Sequence, residues 1–478
     1  MAGQPNVVLI CVDQWRGDCL SADRHELVHT PHLDALAARG ARFRRAYSAT
    51  PTCIPARAAL MTGLSQRSHR RIGFENGRPW DYSTTMAGEF GRAGYQTQAI
   101  GKMHVYPERT RLGFDDVILH DGYLHYVRKR QRPYEEFDDY LPWLRMQAGA
   151  SAVEDFCDNG VNSNSMVARP WDKPEAWHPT SWTVTQAMSW LYRRDPRSPF
   201  FLYLSFDRPH PPFDPPAWAY EQYLAEEPYH PVVGDWVEAL EPYYQDWRHN
   251  PFAARMKPGV LHRARAGYYG HLAHLDLQIN RFLEILGEFG LAEDTIVCFI
   301  SDHGEMLGEH NLFQKGLPYE GAARIPFLLS GPGIEAGQVR DEIVELRDVM
   351  PTLLNAAGLK PPGTVEGRSV LPLLADPPAA SWRDHLHGEH PHFRQTLHWI
   401  ADDRWKYIWW SHSGQEQLFD LAVDPKERHD LAADPACSSD MDRLRGLLVE
   451  QLRGREEGYV DGAGLVTGRA PRTWLDHG

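Results

Sequence analysis

Asp13-Gln14, Asp302-His303 and a lone Cys53 four residues ahead of Arg57 are the positions of this chain best equipped for chemistry. Two carboxylates, an amide oxygen and an imidazole make a ligand set for one divalent cation. Cys53 lies in "PTCIPARAALMTG", residues 51–63. Pro55 suits a first helical turn, Arg57 to Met61 form helix readily, and Gly63 stops it. Cys53 therefore sits at a helix mouth, where unpaired N–H groups and the positive end of the dipole favour an anion. From these residues alone it is either a buried cysteine beside a cap or a reactive position facing an anionic substrate. Further polar groups follow apolar runs: Lys102 and His104 in "IGKMH", and His210 in "DRPHPPF".

Groups so distant in sequence meet only if strands bring their ends together. Val7 to Val12 is a continuous apolar run, the mark of a strand buried on both faces. Tyr95–Ile100, Phe200–Phe206 and Thr295–Ile300 repeat it, while "TPHLDALAARG" and "LDLQINRFLEILGEFG" read as helices. This alternation predicts an α/β sandwich around a mostly parallel sheet, in which ligands bind beyond the carboxyl ends of the strands. Residues about 121–185 and 211–260, rich in Trp, Tyr, Pro and charge, read as insertions decorating one edge. From about residue 376 a smaller α+β subdomain is expected, with a hairpin over "TLHWIADDRWKYIWW" and a helix near Met441–Arg453. The last twenty residues read as a loose tail, suited to an arm of a homo-oligomer.

The net charge of −14 argues against a nucleic-acid partner, and no apolar run is long enough to cross a bilayer. Six cysteines, at 11, 19, 53, 157, 298 and 437, are too scattered for a disulfide framework. The amino terminus runs straight into a strand with no basic leader, so a reduced, cytoplasmic protein is expected. Cys11, Cys19 and Cys298 read as core residues. Glu305 and Glu309 read as helix-start acids, and His310, His387, His390 and His392 as structural or surface groups.

With these segments in this order, the chain resembles the sulfatases of the alkaline phosphatase superfamily over roughly residues 5 to 430. "CIPAR" is similar to their C-x-P-x-R motif, "GKMH" to a G-K-x-H segment, and "SDHGEMLGEHNLFQKG" to a second metal segment followed by a lysine, here Lys315. "RDVMPTLLNAAGL" and "GRSVLPLL" resemble the punctuation before the family's C-terminal subdomain. The resemblance implies an alkaline-phosphatase-like fold, with residues 1–375 as catalytic domain and 376–478 as C-terminal subdomain and tail. It implies hydrolysis of a sulfate ester at one divalent cation held by Asp13, Gln14, Cys53, Asp302 and His303. A maturation enzyme would convert Cys53 to formylglycine. Arg57 would hold the aldehyde's hydrate and the metal-side charge, and with Lys102, Lys315 and the cation would balance charge on the sulfuryl oxygens. His210 or Lys315 would protonate the leaving alcohol, and His104 would take the proton that releases sulfate. Asn76 resembles a substrate-oxygen contact of the choline-sulfatase branch; a turn residue before Gly77 is an equal alternative.

Many sulfatases carry Asp-Asp and Asp-Asn where this chain has Asp13-Gln14 and Asp302-His303. Choline-sulfatase-like members and phosphonate monoester hydrolases look like this chain, so Mn²⁺ joins Ca²⁺ as an expected metal. The phosphonate hydrolases carry hydroxyl-bearing residues where Lys102 and His104 stand here, which favours a sulfate ester. A phosphonate monoester or phosphodiester hydrolase using the same aldehyde is the alternative. A metal-binding protein with Cys53 unconverted is the reading from another class.

Overall fold

The computed structural model describes residues 4–122, 132–157, 164–240, 252–377 and 381–477. Parts of both expected insertions, residues 123–131, 158–163 and 241–251, lie outside these, as does the side chain of Cys157. In chain order the main body contributes β1 (Asn6–Asp13), β2 (Ala41–Phe43), β3 (Ala46–Tyr47), β4 (Gln96–Gly101), β5 (Asp116–Leu119) and β6 (Phe200–Pro209). After them come β7 (Thr295–Ser301), β8 (Arg324–Ile325), β9 (Phe327–Ser330), β10 (Gln338–Arg340) and β11 (Val344–Glu345).

Eight of these form one sheet in the order β10-β2-β9-β7-β1-β6-β4-β5. β1 lies between β6 and β7 and pairs parallel to both, Val7 opposite Phe201 and Ile296. β9 alone runs against its neighbours β7 and β2. A strand paired on both edges and covered on both faces has no polar position to spare, and every residue of β1 is buried. The period of two divides its side chains between two cores. Val7, Leu9 and Cys11 join a cluster under the helices Cys53–Thr62, Met86–Arg92 and Val349–Ala356. Val8, Ile10 and Val12 join one under Pro31–Ala38, Pro179–Arg193 and Pro258–Glu288. Each such side chain contributes about 1.5–3 kcal/mol of burial. Because β1, β4, β6 and β7 are parallel, their carboxyl ends open on one edge, carrying Asp13, Lys102, His210 and Asp302 just beyond.

The helices depart from expectation within the insertions. Pro179–Arg193, which starts within the first and runs beyond it, packs on the sheet through Val184, Ala187 and Leu191. The helix holding "LDLQINRFLEILGE" begins at Pro258, within the second, and runs 31 residues.

The C-terminal part is a four-stranded antiparallel meander, β12 (His385–His392), β13 (Gln395–Asp402), β14 (Trp405–Trp410) and β15 (Glu416–Asp420). β12, which carries "HGEHPH", was not expected as a strand; its polar alternation with a proline hides it. One face of the sheet sets Leu397, Trp399 and Trp410 against Tyr47, Met306 and Tyr319 of the main body. The other packs Ile400, Tyr407 and Leu418 against Leu444 and Leu448 of the helix Ser438–Leu452.

The tail is not loose. Leu475 N–H donates to Arg70 O at 2.9 Å, and Ile72 N–H to Thr473 O at 3.1 Å. Trp474 takes the guanidinium groups of Arg70 and Arg78 on its ring, 4.7 and 4.6 Å from the centroid. These contacts strap the tail onto residues 70–78 of its own chain, where the sequence suggested an arm for a second copy.

Candidate active site

The site forms where β1 and β7 end side by side. Trp15 N–H donates to Ser301 Oγ at 2.9 Å, and Gln14 N–H to Asp302 Oδ1 at 3.2 Å. Gln14 has a φ of 79°, a left-handed kink that turns the chain out of the sheet directly after Asp13.

The helix Cys53–Thr62 aims its first turn at these ends, and Gly63 closes it in the left-handed conformation. A spacing of four residues puts Cys53 and Arg57 on one helix face, one turn apart. Cys53, 2% exposed, has its Sγ 3.2 Å from His303 Nε2 and 3.7 Å from each Asp13 oxygen. Arg57, fully buried, donates through Nε to Asp302 Oδ2 at 2.9 Å. Its Nη1 donates to Lys102 O at 2.8 Å, Tyr203 OH at 2.8 Å and Ser205 Oγ at 2.9 Å.

β4 delivers Lys102. Gly101, at φ 94°, lies so close to Ser205 O that a Cβ would overlap it, which accounts for the glycine of "GKMH". Lys102 Nζ then pairs with Asp13 Oδ2. The N–H groups of Met103 and His104 both donate to Asp121 Oδ1 at 2.8 Å, and His104 is held at φ 57° beside Phe74. His210 sits in a loop braced by Arg208, which pairs with Asp214 at 2.9 Å, while Asp214 N–H donates to His271 Nε2 at 3.0 Å. Lys315 Nζ donates to Gln14 Oε1 at 2.7 Å.

One donor atom each from Asp13, Cys53, Asp302 and His303 lies within 4.8 Å of the others, all buried. His303 Nδ1–H donates to Gly304 O at 2.9 Å, leaving the Nε2 lone pair facing Asp13 and Cys53. Two carboxylates and an imidazole lone pair thus converge in a buried pocket, with the Gln14 amide next in sequence to Asp13, a donor set that fits a divalent cation.

The charges reinforce one another. Burial lifts the Asp13 carboxyl, but Lys102 first, then His210 and His303, hold it well below the usual range. Burial, then Asp13, pushes the Cys53 thiol up to about 12, so an unmodified Cys53 is a poor nucleophile. Burial, then Lys102, keeps His104 neutral, and burial, then Lys315, does the same for His210.

Of the residues read from the sequence, Asp13, Gln14, Cys53, Arg57, Lys102, Asp302, His303 and Lys315 meet through these contacts, with His104 and His210 on the rim. Asn76 stands apart, exposed on a turn beside Gly77. Glu305 corrects the sequence reading: outside any helix, its carboxylate accepts from Gln14 Nε2 and from Leu307 N at 2.9 Å. Glu309 opens a short 3₁₀ turn, and its carboxylate accepts from Arg16 at 2.8 Å. Asp121, Tyr203 and Ser205 were missed; Asp121 lies just beyond β5, whereas Tyr203 and Ser205 lie inside β6 and carry no local signal.

Residues 5–359 match the family model described as Sulfatase. The chain belongs to the sulfatase family. Residues 308–454 of this sulfatase match a second model, described as N-sulphoglucosamine sulphohydrolase, C-terminal. An arylsulfatase of Clostridium perfringens is 46% identical, the match covering 99% of each protein. A choline-sulfatase of Rhizobium meliloti is 30% identical, with 91% of this chain and 83% of that protein covered. The structure of the phosphonate monoester hydrolase of Agrobacterium radiobacter superposes with a TM-score of 0.77 at 28% identity, over 93% of this chain and 95% of that one. A sulfatase is a sulfuric ester hydrolase, and the family implies a metal ion and a formylglycine.

A second buried group, His178, Asp214 and His271, also has donor atoms within 4.8 Å. Several of its donor atoms already have partners within the chain. Arg208 spans both Asp214 oxygens, His178 Nδ1 accepts from Thr180 N–H, and His271 Nε2 accepts from Asp214 N–H. This cluster braces the loop that carries His210.

Proposed function

We propose that this sulfatase hydrolyses small sulfate esters, aryl sulfates first among them. Position 53 acts in its formylglycine form beside Ca²⁺ or Mn²⁺ held by Asp13, Gln14, Asp302 and His303. The observation that carries the reading is the convergence of Asp13, Cys53, Asp302 and His303 within a ring of Arg57, Lys102 and Lys315. The carboxylates of Asp13, Asp302 and Glu305 balance those three cations, so a bound divalent ion leaves an excess of positive charge that an anionic ester complements. The 46% identity to an arylsulfatase supports the aryl preference.

When present, the cation and the aldehyde hydrate supply a hydroxyl of lowered pKa as nucleophile. The chain's own residues do the rest. Lys102 and Lys315 hold the sulfuryl oxygens, while Arg57 holds the Asp302 carboxylate in place. His210 donates its Nδ1–H to Pro211 O at 2.8 Å, so its neutral ring offers a lone pair at Nε2. The proton for the leaving alcohol is therefore assigned to Lys315 Nζ. His104, neutral, takes a proton from the side chain at position 53. The maturation enzyme acts on Cys53, and a cytoplasmic location is supported by the free cysteines at 11, 19, 53, 298 and 437.

The test is mass spectrometry of the peptide spanning residues 45–57 after expression with a maturation enzyme, together with turnover of aryl sulfate against aryl phosphonate. Conversion of Cys53 and a preference for sulfate are expected, with Cys53→Ala losing at least a thousandfold. A large preference for phosphonate, which the structural likeness to a phosphonate hydrolase would favour, defeats the reading.

A further inference from the structure

We infer that Glu305 is a positioning residue that fixes which end of the Gln14 amide faces the cation, an inference that rests on the cation site proposed above. The two ends of a glutamine amide are almost the same size, so hydrogen-bond partners decide their orientation. Gln14 is gripped at both ends. Glu305, an acceptor, takes the Nε2–H of Gln14, and Lys315, a donor, gives a proton to its Oε1 at 2.7 Å. The two partners agree, and the oxygen is turned toward Lys315 and away from Glu305.

Gln14 is the one neutral oxygen donor of the proposed set, next in sequence to Asp13 and bonded through its backbone N–H to Asp302. Reversed, the same side chain would present an amide N–H₂ to the cation and to the Lys315 ammonium, repelled by both. Glu305 is itself anchored: Oε1 accepts from the N–H groups of Leu307 and Gln314, leaving Oε2 for Gln14. Its backbone N–H donates to Gly321 O at 2.8 Å.

This arrangement dictates what Glu305→Gln does. The remaining oxygen stays with the Leu307 and Gln314 N–H groups, so the new amide nitrogen meets Gln14 Nε2, donor against donor. Gln14 must turn over, and the site loses an oxygen ligand without losing volume. The reciprocal swap, Gln14→Glu with Glu305→Gln, restores a donor–acceptor pair and again directs an oxygen inward.

The experiment measures Mn²⁺ binding to the chelator-stripped full-length protein by titration, reading free Mn²⁺ by electron paramagnetic resonance. Metal-free melting curves run alongside. E305Q is expected to weaken Mn²⁺ binding ten- to a hundredfold, the range for a partner that orients a metal ligand. The swap is expected to recover a Kd within threefold of the parent or tighter. Parental binding by E305Q, or a swap that fails to recover binding, overturns the inference. A metal-free melting temperature lowered alike in both variants with no separation in Kd also overturns it, since Glu305 is then only a loop anchor. Absence of Mn²⁺ binding by the parent itself removes the proposed cation site, and this inference with it.

Discussion

Arg57 is buried with four partners drawn from three segments of the chain, and its guanidinium pairs with the equally buried Asp302 carboxylate. Removing one partner of a buried pair leaves the other uncompensated. Arg57→Met is therefore expected to cost about 3–5 kcal/mol in urea unfolding. Arg57→Lys, which keeps charge but loses the fork, should fall between. His104 tests the opposite balance, since it lies at the rim and holds no framework together. His104→Gln should lower kcat for aryl sulfate by about 10²–10⁴-fold while leaving the unfolding midpoint near its parental value. A loss confined to KM would show that His104 only contacts substrate.

At the scale of elements, the strap formed by residues 473–475 lies across the loop of residues 70–78, which carries Phe74 beside His104. Truncation after Arg469 should speed hydrogen exchange at residues 70–80 and leave the solution mass per particle otherwise unchanged. Loss of an oligomer on truncation would instead restore the arm expected from the sequence. The contrast between strap and arm shows what a sequence reveals. Val7–Val12 and Thr295–Ile300 announce themselves because a strand buried on both faces must be apolar throughout. "CIPAR" is legible because a helix start and a four-residue spacing are local rules. β12 is hidden, since Leu386 is its one aliphatic residue and the sheet and body that bury Gly388, Glu389 and His392 arrive from elsewhere. Glu305 was misread for the same reason: its partner is 291 residues away. Trp474 has no local signature of packing, because the arginines that stack on it precede it by about 400 residues.

The whole molecule stores many histidines as neutral, buried rings. Burial, then Arg71, lowers His69 to about 3, and burial, against the pull of Glu309, lowers His310 to about 4. Both are free to protonate near 6.5 once unfolded. Between pH 6.5 and 4 the unfolded chain therefore holds protons that the folded one refuses, and stability falls as pH drops. Each contributes up to about 1.4 kcal/mol per pH unit. Glu427, lifted by burial to about 7 against Lys406, opposes this over pH 4.5–7. It is outnumbered, since His178, His271, His274 and His398 are also lowered by burial. The urea midpoint should decrease from pH 7.5 to 5; a flat or rising profile contradicts this account.

The proposed ligand set runs from residue 13 to residue 303, and the strap that clamps its rim is made after all of it. During synthesis at ordinary rates, roughly 20–80 s separate the appearance of Cys53 from that of Trp474. For the first part of that interval neither Asp302 nor His303 exists to seal the thiol, and the clamp is missing until Trp474 emerges. The order of the chain thus acts as a clock, leaving residue 53 open to the proposed maturation enzyme before the folded protein shuts it away.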